Sequence, residues 1–304
     1  MSIEVVAEGL HFPEGPVVMP DGSVIFVEIL AARLSRAWGN GKVETIAQMS
    51  GGPAGAALGP DGAIYVANLG GMDLDKMVSL AGPGQEGRIE RVDLATGKIE
   101  RLYDRCGSNM LSAPDDLVFD DQGGFWFTDL GKDFERHRDY GGLYYAKADG
   151  SFISEGRFPA VALNGVGLSP DGQTLYTSST TTSRIWRIPV EAPGRLMPPP
   201  NAPVRAGSPR TGELLATVPG DCGVDSLAVT ASGSVCVGTL YRGGITTVRT
   251  DGSLEYFHLP DEYTTNIAFG GEDMHTAYIM QSASGTIIRT RWPEPGLKLN
   301  YGLY

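Results

Sequence analysis

The chain has 304 residues, 41% hydrophobic and 20% charged, which excludes a disordered or fibrous chain and leaves ample length for a buried core. Its 36 acidic and 24 basic residues give a net charge of −12, a field that repels phosphate backbones and anionic lipid. Neither nucleic acid nor a membrane is therefore expected as a partner. Glycine, at 42 residues, is roughly twice its ordinary ~7% share; with 20 prolines it suits short strands joined by tight turns, not long helices.

Taken from the start, Met1-Ser2-Ile3-Glu4-Val5-Val6 lacks the basic segment and apolar run of a signal peptide. No stretch approaches the ~18 apolar residues of a membrane span, so a cytoplasmic protein is expected. Cys106, Cys222 and Cys236 fit no zinc or redox spacing and read as reduced thiols. One unit then recurs: a short apolar strand, a Pro-Asp-Gly-like turn and a second apolar strand. Its copies occupy residues 13–28, 53–68, 114–129, 163–178, 224–239 and 265–280, and each reads as a β-hairpin.

Gly22, Gly62, Gly123, Gly172 and Gly233 mark the turns, with Met274 in the equivalent place of the sixth copy. Further strand pairs lie between copies, such as 87–92 with 98–102 and 243–248 with 254–257. Four strands per unit of roughly 50 residues, six times over, predict an all-β, six-bladed β-propeller. Residues 1–304 are expected to form one domain. The last unit lacks an outer strand that Ile3–Ala7 would supply, closing the ring and removing an open edge. Pro193–Glu213 reads as an insertion in the fourth unit.

Eight residues ahead of each turn marker stand Glu14, Ala54, Asp115, Asn164, Asp225 and Asn266. Inner strands of a propeller ring a channel, so this column points at one axis. Five of its six members are oxygen donors. Converging carboxylates repel one another, and a hard divalent cation resolves the conflict. A second polar register, at the upper ends of the second strands, comprises Glu28, Asn68, Asp129, Ser178 or Ser179, Thr239 and Met280. Asp116 is expected to face away from the channel by alternation. Asp21, Asp61 and Asp171 read as turn residues, and His11 as a packing or turn residue.

Phe12-Pro-Glu-Gly-Pro, Ala113-Pro-Asp-Asp-Leu with Phe127-Thr-Asp129, Asn164-Gly before Ser169-Pro-Asp-Gly, and Asp225-Ser-Leu-Ala-Val resemble the senescence-marker-protein/gluconolactonase/luciferin-regenerating-enzyme family. The resemblance covers almost the whole chain, with diisopropylfluorophosphatase as a more distant relative. It implies a divalent cation held by Glu14, Asp115, Asn164 and Asp225, with calcium the leading identity and manganese, magnesium and zinc the alternatives. Asp115 departs from the family's usual asparagine, which makes the cage more acidic. It further implies a monomeric hydrolase that opens a small-molecule lactone, with Asp225 as first and Asp129 as second candidate for the base. Asn68, Asp129, Arg242 and Asn266 are the candidate substrate contacts. Rival readings are a phosphotriesterase-like hydrolase or cyclic-ester isomerase at the same site, or a non-catalytic metal-binding propeller.

Overall fold

A strand with dry sheets on both sides sends alternate side chains into two different cores, so it is apolar throughout. Val24–Glu28 behaves this way. Ile25 and Val27 join Leu34, Ile64 and Val66 on one side, while Val24 and Phe26 join Tyr278 and Met280 on the other. Gly124–Asp129 likewise divides Phe125 and Phe127 from Trp126.

The computed structural model describes residues 2–73, 76, 78–199 and 211–302. Six antiparallel sheets follow in chain order. Blade 1 runs Pro13–Val18, Val24–Glu28, Arg33–Ala37, Val43–Gln48, and blade 2 runs Pro53–Leu58, Ile64–Asn68, Arg88–Val92, Ile99–Tyr103. Blade 3 comprises Pro114–Phe119, Gly124–Asp129, Gly141–Lys147 and Ile153–Ala160. Blade 4 comprises Leu163–Leu168, Thr174–Ser179, Arg184–Ala192 and Glu213–Thr217. Blade 5 has Gly223–Val229, Val235–Leu240, Ile245–Val248 and Leu254–Phe257. Blade 6 has Thr264–Gly270, Thr276–Gln281 and Thr286–Arg291, and its fourth strand is Ile3–Ala7, paired from Ile3 with Thr290 to Ala7 with Ile287. The inserted stretch adds Arg195–Leu196 to Arg184–Ala192, and its residues 200–210 lie outside the described part. Among the described residues the only helical segment is the turn Thr180–Thr182, and no helix is long and apolar enough to cross a membrane.

Each inner strand packs against the next, and that of blade 6 against that of blade 1. An apolar cluster fills every interface between successive blades, including blades 6 and 1. The turn glycines of the first five hairpins have φ between +68° and +85°, and Met274 takes +56° in the sixth. Asp21, Asp61 and Asp171 accept the amides of Ser23, Ala63 and Gln173, as turn residues do.

At its turn end the channel is crossed by the segment 297–302, held by Leu297 N–H to Val229 O, Asn300 Nδ2 to Phe119 O and Gly123 N–H to the Tyr301 hydroxyl. A cavity of about 550 Å³ lies between this strap and the ring formed by Gly15, Asp116 and Asn266.

The inner strands approach so closely that side-chain volume is excluded at particular points. A Cβ on Gly55 would lie 2.3 Å from the Asp115 carbonyl oxygen and 2.7 Å from Asp116 Cα. Gly55→Ala should therefore lower unfolding free energy by about 1–3 kcal/mol, read as a lower denaturant midpoint. A variant as stable as the parent would contradict this packing.

Candidate functional site

The inner strands do not run as regular ladders. All six shift register near their upper ends, between Glu14 and Val17, Pro53 and Gly55, Pro114 and Leu117, Leu163 and Val166, Val224 and Leu227, and Thr264 and Asn266. Bulges bend a strand and re-aim its side chains. These coincide with the polar column.

The column residues meet. Asn266 Nδ2 donates to Glu14 Oε2 at 2.7 Å, and Gly15 N–H donates to the same oxygen at 2.8 Å. Asn164 Nδ2 reaches Asp115 Oδ2 at 3.4 Å, while Ser226 Oγ donates to Asn164 Oδ1 at 3.2 Å. Glu14, Asp115, Asn164 and Asn266 are buried. Asp225 is half-buried.

Burial raises the Asp115 carboxyl well above the usual carboxylate range, and the charges of Asp225 and Glu14 raise it further. Asp225 is raised well above its usual range by burial and then by Glu14, against a lowering by Asn164. Burial also raises Glu14. Among the described residues its second oxygen, Oε1, is buried with no donor in hydrogen-bonding geometry. The Thr265 hydroxyl, which lowers the Glu14 pKa, is itself paired with Ser282 Oγ at 2.6 Å. Among the described residues, no three His, Cys, Asp or Glu side chains are gathered closely enough to grip an ion by themselves. The three acids nevertheless act on one another electrostatically.

Hydroxyls on the second strands or just past them hold the column in place. Thr128 Oγ1 donates to Asn164 O, Ser178 Oγ to Asp225 O at 2.6 Å, and Ser282 Oγ to Pro13 O at 2.7 Å. In each case a hydroxyl of one blade fixes the column strand of the next. Asp116 joins this scaffold. The register shift breaks the expected alternation, so its carboxylate stays in the inner ring and accepts Leu117 N–H at 2.8 Å and Val166 N–H at 3.1 Å. Burial pushes it up to about 7.

Apart from Ser178, the second register is bound within its blades and to the loops above them. Glu28 accepts Arg33, the Ser35 hydroxyl and His11 N–H. Asn68 is wholly buried, donating to Ser50 O and Glu90 Oε2 at 2.8 Å each and accepting Gly70 N–H at 3.0 Å, so its polar atoms are committed to the upper loops of blade 2. Asp129 accepts the amides of Ser112, Ala113 and Gly131 at 2.7, 2.8 and 2.9 Å; burial nevertheless raises its pKa. Thr239 pairs with Thr246, Ser179 with Val161 O, and Met280 is core. Arg242, a candidate substrate contact, lies 3.9 Å over the Tyr256 ring on the outermost strand of blade 5. Sequence reading missed the hydroxyl clamps and a group of rings at the mouth, Phe12, Tyr241 and Tyr263, whose placement depends on left-handed backbone at two of them.

The sequence matches the model of the family described as SMP-30/Gluconolactonase/LRE-like region over residues 12–283. A lactonase drp35 of Staphylococcus haemolyticus is 28% identical over 204 residues, 65% of this chain and 56% of the relative. A gluconolactonase of Zymomonas mobilis is 26% identical over 217 residues, 63% of this chain and 56% of the relative. The chain thus spans little more than half the length of either. In fold it is similar to a gluconolactonase structure from Xanthomonas campestris, with a TM-score of 0.74, 20% identity, and coverage of 96% of this chain and 89% of that one. It is also similar to the calcium-binding protein regucalcin of Agrobacterium tumefaciens, with a TM-score of 0.67, 19% identity, and coverage of 97% and 99%. By the match across residues 12–283, the chain belongs to the SMP-30/gluconolactonase/LRE-like family.

Proposed function

We propose that the chain is a divalent-cation-dependent lactonase, acting as one propeller domain, with its site at the upper mouth of the central channel. The observation that carries this reading is the set of buried acids, and above all Glu14 Oε1, a carboxylate oxygen buried without a donor among the described residues. Leaving a charged oxygen in that state costs more than a hydrogen bond returns. A cation on Glu14, Asp115, Asn164 and Asp225 would satisfy it. The donor set is all oxygen, three carboxylates and an amide carbonyl, which suits calcium before softer metals. The resemblance to a calcium-binding regucalcin supports the same choice.

When bound, the cation would polarise the lactone carbonyl and offset the charge that develops on its oxygen. Asp225 is the least buried of the three column acids, which leaves it the one placed to meet water as a general base. It accepts the proton of the attacking water, and the proton then serves the alcohol oxygen released on ring opening, giving a hydroxy acid. Asn266 holds Glu14 in place through its amide and borders the same space. Asp129, bound to three amides, and Asn68, bound on all sides, act on the loops around the site instead of on substrate.

Two outcomes follow. Glu14→Gln should raise the Ca²⁺ concentration needed to restore turnover of chelated enzyme by at least the ~10-fold typical of losing even a supporting group around a metal. An unchanged calcium requirement would remove Glu14 from the cage. Asp225→Asn should lower kcat on a simple γ-lactone by ~10²–10⁴-fold with an unfolding midpoint close to that of the parent. Near-parental turnover would refute the base assignment.

A further inference from the structure

One sector of the channel mouth is aromatic. The Tyr263 ring meets Phe12 edge-on, with centroids 5.9 Å apart, and meets Tyr241 at 6.0 Å and 78°. Two of these rings stand on backbone in the left-handed region, Phe12 at φ +58° and Tyr241 at φ +66°. Bulky side chains are disfavoured there and persist only where the surroundings impose the conformation. They do so here: Ile29 N–H bonds Phe12 O at 3.1 Å, Tyr241 N–H bonds Glu262 O at 2.6 Å, and Leu240 bridges to Tyr263.

The rings border the acidic column. Phe12 is two residues ahead of Glu14. Tyr241 follows Leu240, which pairs with Gly223, two residues ahead of Asp225. The charge of Asp225 is felt at the Tyr241 phenol. Tyr241 is 56% exposed and so presents an open face at the mouth.

Three polar groups of this sector are committed elsewhere. Asn266 serves Glu14, and Arg242 is stacked on Tyr256. Asp261 accepts the amides of Tyr263 and Ser284, each at 2.8 Å. A polyhydroxylated ring can stack on a tyrosine, but it also needs amide or charged partners for its hydroxyls.

We propose that Phe12, Tyr241 and Tyr263 form the wall that receives the ring substituent of the substrate, and that the substrate is a lactone bearing an aryl or similarly flat apolar group, not a sugar-acid lactone. This rests on the lactonase reading. Flat rings gain by offset or edge-to-face contact with such a wall beyond the area they bury.

The test compares γ-phenyl-γ-butyrolactone, γ-butyrolactone and glucono-δ-lactone on the calcium-loaded protein. The parent should favour the phenyl lactone over the other two by about 10-fold or more in kcat/KM, mainly through KM. Tyr241→Gly removes the ring while fitting the +66° backbone. It should abolish that preference, and Tyr241→Phe should keep it. Preference for glucono-δ-lactone, or a phenyl preference intact in Tyr241→Gly, overturns the inference and leaves the lactonase reading standing. If no lactone is turned over, the lactonase reading fails, and ligand-observed NMR of γ-phenyl-γ-butyrolactone decides the wall alone. Binding by the parent that Tyr241→Gly loses supports it; absent or equal binding overturns it.

Discussion

Glu14, Asp115 and Asp225 are carried by three different blades to one place where none can be hydrated as it would be in water. Burial and mutual repulsion both oppose their ionisation. A protein retains such an arrangement at a cost to stability, and sites of function are where such costs concentrate. The absence of any donor for Glu14 Oε1 among the described residues and the presence of Asn164 between Asp115 and Asp225 both suit oxygen coordination of a hard cation. Asp115 sharpens the point, because the resemblance implies a neutral amide at that position. The extra acid adds repulsion when the site is empty of charge and attraction when a cation is present.

The rest of the ring serves to hold these groups still. Register shifts turn the ends of all six inner strands, and hydroxyls on the second strands or just past them fix carbonyls of the neighbouring column strands. Glu28, Asn68 and Asp129 then tie down the loops above. Asp129 gathers the amides of 112, 113 and 131 into one carboxylate, so the loop leading into blade 3 and the loop leaving its second strand are locked together just ahead of Asp115. Preorganisation of this kind keeps a site from spending binding energy on rearrangement.

Much of this was legible from residues alone. The turn glycines set a register strong enough to place Met274 correctly in a copy that lacks the glycine, and that register led to the column. What sequence reading could not supply was direction. A polar residue at a strand end can face a ligand or bind nearby amides, and Asn68 and Asp129 do the second. Asp116 departs from alternation because a bulge intervenes. Arg242 stacks on a tyrosine of a strand some 14 residues later, a contact with no local signature. The aromatic wall depends on positive φ at Phe12 and Tyr241, which residue type argues against.

The central claim is that the column is a cation site, whose buried acids repel one another until a cation offsets their charge. Calorimetric titration of Ca²⁺ into chelated protein near neutral pH, repeated in buffers of different ionisation enthalpy, tests it most directly. The account predicts saturable binding of one ion per chain with net release of protons, because ligands must be deprotonated to bind. Absence of stoichiometric binding, or binding that releases no protons, would contradict it.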